Sequence, residues 1–189
     1  MPLVFATHNH HKLTEVKAIL PQFIESLSLN DINCHEDIAE TANSIEGNAQ
    51  LKARYVFKNY NLPCFADDTG LFVNALNGEP GVYSARYAGG QKNAQANIQK
   101  LMQNLNHVQD RSAYFKTVIA FKTQNEEKIF TGICKGEITK TPSGKSGFGY
   151  DPIFKPQGYT ETFAALDANT KNQISHRSLA LQKFIDYLK

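Results

Sequence analysis

The sequence predicts an α/β protein built on a mixed sheet. Three observations carry this: strand-like and helix-like apolar patterns alternate over residues 3–105, a hairpin pattern fills 114–138, and an amphipathic helix closes the chain. A hairpin inside such an order argues against a purely parallel sheet.

Residues 3–6 read as a short buried strand. After a polar turn, HKLTEVKAIL places Leu13, Val16 and Leu20 at helical spacing until Pro21 stops the helix. Residues 23–29 form a candidate second strand. Residues 44–60 carry the stripe Ile45, Ala49, Ala53, Val56 and Tyr60, ended by Asn61 and Pro63, and predict a helix. A short strand at 62–66 then leads into an acidic turn at Asp67 and Asp68, with Gly70 permitting a tight path. Asn77, Gly78, Pro80 and Gly81 predict a rigid turn before Tyr83, Ser84, Ala85 and Arg86. Ala94, Ile98, Leu101, Met102 and Leu105 mark another helix. Residues 114–122 and 128–138, rich in β-branched and aromatic side chains, flank the polar tip 123–127. From Asn172 onward Leu181, Phe184, Ile185 and Leu188 share one helix face.

With 189 residues, no repeat and no low-complexity linker, the expectation is a single domain, 1–189. The apolar runs fall far short of the roughly 20 residues a membrane helix needs. The opening MPLVFATHNHHK shows no charged leader with a long apolar region, so the expected location is cytoplasmic. Cys34, Cys64 and Cys134 are widely separated and form no CxxC pair, which argues against a disulfide framework or zinc knuckle. A net charge of +2 is too small for a surface that coats nucleic acid. Neither nucleic acid nor membrane is an expected partner, and an anionic ligand must be bound locally.

Five stretches could carry chemistry. Thr7, His8, Asn9, His10, His11 and Lys12 lie between the first strand and the first helix, where helix N–H groups and a lysine suit a phosphate; equally, Asn9 is a helix cap and Lys12 a solvated charge. The adjacent His10 and His11 point apart, which argues against a shared metal. Lys52 lies in or beside the apolar stripe of the second helix, one turn after Asn48. It either snorkels over apolar surface or directs an ammonium at an anion. Glu40 and Thr41 stand where the chain enters that helix. Asp67 and Asp68 crowd two carboxylates, a cost best relieved by a divalent cation such as Mg²⁺, unless both cap an Asx-type turn. GKSGFGYDPIF, residues 144–154, combines flexible glycines with Phe148, Tyr150 and Asp151, types that suit a flat heterocycle or plug a core. Lys171, His176 and Arg177 add donors at the last helix, with Ser175 as its candidate cap.

With these stretches in hand, the chain resembles the non-canonical purine nucleoside triphosphate pyrophosphatases, also called the inosine triphosphatase or Ham1-like family. The resemblance rests on ATHNHHK (6–12), ET with NAxxKA (40–53), ADDTGLFVNALNGEPGVYSARYAG (66–89), GFGYDPIF (147–154) and KNQISHR (171–177), in that order. It implies an elongated α/β fold with a central mixed sheet flanked by helices and two lobes around a cleft. It also implies a homodimer and Mg²⁺-dependent hydrolysis of ITP, dITP and XTP to the monophosphate and pyrophosphate. By position, it assigns the triphosphate to Thr7–Lys12 and Lys52, with Asn9 and Lys12 in direct contact. Mg²⁺ falls to Glu40 and Asp68, and activation of the attacking water to Asp68. Thr69 touches phosphate, Phe148 stacks on the base in a pocket shaped by Gly149, Tyr150 and Asp151, and Lys171, His176 and Arg177 read the purine edge. Three positions depart from the pattern: Gly47 stands where glutamate is usual, Thr69 where serine is common, and His8 where a smaller residue is usual. Gly47 removes an acid from the metal region and weakens the helix by up to about 1 kcal/mol.

Overall fold

The computed structural model describes residues 2–189, and Met1, which opens the expected domain, lies outside the described residues. The strands are β1 (Pro2–Phe5), β2 (Glu25–Leu27), β3 (Cys64–Val73), β4 (Pro80–Gly81), β5 (Ser112–Lys122), β6 (Glu127–Ile138) and β7 (Phe154–Pro156). The helices are α1 (His10–Ile19), α2 (Ile45–Tyr60), α3 (Ala94–Asn104), α4 (Ala168–Ile174) and α5 (His176–Leu188). Strands follow the order β2-β1-β3-β5-β6-β7, with β4 paired to β3. The sheet is mixed as predicted: β1 runs parallel to β2 and to β3, while β4 and β7 lie antiparallel to β3 and β6. Among the described residues, no helix is long and apolar enough to cross a membrane.

The chain resolves into two compact units. One comprises the chain up to Asp68, Thr117–Gly132 and Arg177–Lys189; the other comprises Thr69–Lys116 and Ile133–His176. The first unit packs Leu3, Phe5, Val16, Phe65, Ile119, Phe121, Leu181, Phe184 and Ile185 around one core. Phe5 and Phe65 stack at 4.6 Å with ring planes 3° apart, and Phe184 of α5 tilts against Phe65 at 5.2 Å. The second unit packs Leu71, Ile98, Leu101, Phe115, Ile138, Tyr150, Phe154 and Phe163. Buried and open positions alternate over 112–117 of β5 and 131–135 of β6, while 117–121 is buried throughout.

Two expectations about local structure are corrected. Asp67 and Asp68 do not stand at a turn: β3 continues through them to Val73, because Leu71–Phe72–Val73 resumes the ladder against β4 and the carboxylates find partners inside the fold. The final helix is two helices broken at Ser175, which adopts an extended backbone and terminates α4 by donating its N–H to the Lys171 carbonyl. Ser175 therefore closes one helix rather than merely opening the next.

Candidate active site

The charged cluster of the first unit is built by four elements. In α1, Asn9 caps the helix by accepting from the Lys12 N–H at 3.1 Å, and Thr7 Oγ1 accepts from the Asn9 N–H at 3.2 Å. This turn aims Lys12 inward, and its ammonium donates to Asp67 Oδ1 at 2.9 Å. His10 and His11 stay exposed, and His8 Nε2 makes a 3.0 Å hydrogen bond with the Glu36 carbonyl. Asp67, 1% exposed on β3, also accepts from Arg177 Nε at 3.2 Å, while the same guanidinium donates to Glu15 of α1. The expectation that a divalent cation relieves both aspartates is thus corrected for Asp67. Its charge is met by Lys12 and Arg177, partners 55 and 110 residues away.

Asp68 has a different environment. Lys52 of α2 donates to Glu40 Oε1 at 2.6 Å and stands 3.9 Å from Asp68 Oδ1, so one ammonium lies beside two carboxylates. Lys52 is 7% exposed and its ammonium is paired inside the fold, which argues against a snorkelling head held in water. Burial opposes the charge of Asp67, yet Lys12, Arg177 and Lys52 together hold its carboxyl well below the usual range. Burial pushes the Asp68 carboxyl up and, joined by the nearby Glu40 and Asp67 charges, outweighs what Lys52 and Lys12 return. Lys12 is lowered by burial and by the cations Lys52 and Arg177, against the pull of Asp67. Lys52 is raised, because Asp68, Glu40 and Asp67 overcome the effect of burial.

Among the described residues these ion pairs join three cations, Lys12, Lys52 and Arg177, to four carboxylates, Glu15, Glu40, Asp67 and Asp68. The cluster therefore carries no net positive charge with which to hold a polyphosphate. Glu40 and Asp68 are hard oxygen donors, and magnesium takes one or two carboxylates with the rest from water and phosphate, so this donor set fits the ion. Among the described residues no group of three or more His, Cys, Asp or Glu forms a ready-made cage. The balance of such a shell belongs to ligand oxygens and water.

The second unit gathers the aromatic stretch. Asp151, 4% exposed, accepts from the Phe148 N–H at 2.9 Å and from Lys171 Nζ at 2.7 Å. The Lys171 ammonium lies 5.5 Å from the centre of the Phe148 ring. Gly147 and Gly149 adopt φ of +76° and +62°, and a side chain on Gly147 would overlap the Asp151 carboxylate. Asp151 thus folds its own loop and orients Lys171. Tyr150 is a core residue whose hydroxyl donates to the Ser84 carbonyl at 2.8 Å, so the plug reading holds for it. His176 is buried and stacks on Phe115 at 4.4 Å. Thr69 is half-buried on β3 next to Asp68.

The structure places Lys12, Lys52, Glu40 and Asp68 in the first unit, and Phe148, Asp151 and Lys171 in the second. Arg177, expected among the purine-reading donors, lies with Asp67 and Glu15 in the first unit. Glu15 was missed, although its i+3 spacing from Lys12 puts both on one face of α1. Gly47 turns out to be a packing requirement: a Cβ there would meet the Ala42 Cβ at 2.6 Å.

Mixed-sheet architecture with a buried lysine–carboxylate cluster defines the chain as an α/β protein with a charged cluster inside its first unit. The sequence pattern of the Ham1 family matches residues 3–187. A dITP/XTP pyrophosphatase of Flavobacterium johnsoniae is 58% identical over 188 residues, covering 100% of this chain and 98% of that one. One from Christiangramia forsetii is 54% identical over 100% and 99% of the two chains. The solved Ham1 protein of Staphylococcus aureus superposes with a TM-score of 0.91 at 41% identity, over 100% and 98% of the chains. The chain belongs to the Ham1 family, as the resemblance in its motifs implied.

Proposed function

We propose that this Ham1-family chain hydrolyses non-canonical purine nucleoside triphosphates, ITP, dITP and XTP, to the monophosphate and pyrophosphate. The observation that carries the reading is the ion-pair cluster around Asp67 and Asp68, with Lys12 and Lys52 as the amines available to phosphate oxygens. The names of the relatives from Flavobacterium johnsoniae and Christiangramia forsetii support the substrate class.

Lys12 and Lys52 bind and orient the triphosphate, drawing off charge that builds on the phosphoryl oxygens. Asp68 accepts a proton from the attacking water. The water oxygen bonds to the α-phosphorus in line with the departing bridge oxygen, and pyrophosphate leaves. A magnesium ion held by Glu40 and Asp68 would supply the positive charge that the cluster lacks. Asp67 holds Lys12 in position. For the base, the residues of the second unit suit a purine: Phe148 offers a ring to stack on, and Lys171, fixed by Asp151, a donor for a 6-oxo group. An exocyclic amine there would set donor against donor.

Steady-state pyrophosphate release from ITP, dITP, XTP, ATP, GTP and dUTP, with and without Mg²⁺, tests the proposal. Release from ITP, dITP and XTP at rates far above ATP and GTP, and only with the metal, is the expected outcome. Preference for dUTP would point to a pyrimidine pool enzyme, and binding of ITP without release would point to a nucleotide sensor; either result overturns the assignment.

A further inference from the structure

The first turns of α2 hold a buried amide with one half in use. Asn48 is 1% exposed, and its Oδ1 accepts from the Ala42 N–H at 2.9 Å. That contact settles which side of the amide is oxygen, since only the oxygen can accept from a backbone N–H. Its Nδ2 has no hydrogen-bond partner among the described residues. A buried N–H without an acceptor is destabilising, so the bond to Ala42 accounts for Oδ1 but leaves the Nδ2 half of the amide unexplained until an acceptor arrives.

The surroundings limit what that acceptor is. Asn48 precedes Lys52 by one turn on the same face of α2, and Lys52 Nζ lies 2.6 Å from Glu40 Oε1 and 3.9 Å from Asp68 Oδ1. Ala42, held by Asn48, is two residues beyond Glu40. Gly47 completes the clamp, because the absence of a side chain there gives the Ala42 methyl its place. The side chain thus belongs to the carboxylate–ammonium cluster. A cation offers an N–H no acceptor, and water bound to a cation is a poor one, since it presents mainly its hydrogens. Phosphate oxygens are the acceptors such a cluster would receive.

We propose that Asn48 is a phosphate-binding residue: Nδ2 donates to a phosphate oxygen of the bound triphosphate while Oδ1 fixes the segment that carries Glu40. This inference rests on the phosphate chemistry proposed for the same cluster. It assigns α2 a direct contact with substrate in addition to Lys52.

The test uses the full chain with Mg²⁺ and the α,β-methylene analogue of ITP, which has no cleavable bridge oxygen at the α-phosphorus. In ¹⁵N-labelled wild type, the Asn48 side-chain NH₂ resonances, assigned through the backbone, are expected to move as the analogue saturates. In Asn48→Ala the analogue's Kd should rise about tenfold, the scale of one hydrogen bond to a charged acceptor, and KM for ITP should rise more than kcat falls. A purely structural amide would lower the melting temperature on mutation without moving in the titration. Wild type that binds the analogue with unmoved Asn48 resonances overturns this inference alone. Wild type that neither binds the analogue nor cleaves ITP overturns the phosphate reading and this inference together. Because the titration is done on wild type, it decides the matter even if the variant fails to fold.

Discussion

Asp67 has Lys12 and Arg177 at hydrogen-bonding distance, whereas Asp68, its neighbour on β3, has Lys52 at 3.9 Å and a second carboxylate sharing that ammonium. Three neighbouring cations hold the Asp67 carboxyl well below the usual range, whereas burial with the nearby carboxylates pushes Asp68 up. A neutral isostere at 68 should therefore fold better while losing the proton acceptor. For Asp68→Asn we expect pyrophosphate release from ITP to drop by about 10³-fold, within the span a positioned general base and its charge supply. Its melting temperature at neutral pH should rise by a few degrees. The sign follows from linkage: the folded carboxyl is raised above its ordinary 3.8, so its stabilising contribution is complete below 3.8 and lost as pH rises through the folded value. The gap between variant and wild type should thus be widest at neutral pH and narrow toward pH 3.8, which melting curves across that range will check. Asp67, lowered instead, contributes stability above 3.8 that is lost as acid reaches its folded value.

Helix α2 is where local and tertiary demands meet. Ser44 caps it by accepting from the Gly47 N–H at 3.0 Å, and Asn61 ends it in a left-handed conformation. Restoring glutamate at 47 would improve intrinsic helix propensity, yet its Cβ would collide with the Ala42 methyl. We expect Gly47→Glu to cost about 1–3 kcal/mol, in the range of overpacking. Adding Ala42→Gly should recover most of the loss in a double-mutant cycle read by urea unfolding, and full additivity would refute the steric account. Helix α5 makes the corresponding contribution to the first core, since Phe184 meets Phe65, Phe121 and Phe130 at 5.2, 5.3 and 5.4 Å. Phe184→Ala should destabilise by about 3–5 kcal/mol in the same assay.

At the scale of the whole molecule, the two compact units share strands rather than a linker: β3, β5 and β6 each pass without a break from one unit into the other. Continuous strands should couple unfolding of both units into one transition. Two cysteines report on this separately. Burial pushes the Cys64 thiol of the first unit up to about 12 and the Cys134 thiol of the second up to about 11, so neither offers thiolate to iodoacetamide in the native state at pH 8. Peptide mass spectrometry should show both labelled over the same range of urea. Labelling of one well before the other would mean that the units melt independently.

Local pattern alone determined most of the strands and helices, though not β4, β7 or the break between α4 and α5, together with the hairpin at 114–138 and the anomaly of a lysine in the apolar stripe of α2, because period is written along short segments. The motif residues also named most members of the cluster. Tertiary structure decided what those residues do there. That Asp67 lies in mid-strand, that Lys12 and Arg177 neutralise it, and that Ala42 requires Gly47 all depend on contacts that periodicity does not encode, the longest spanning 110 residues. A buried charge is specified by the partner that folding brings to it, and sequence spacing records only partners on the same element.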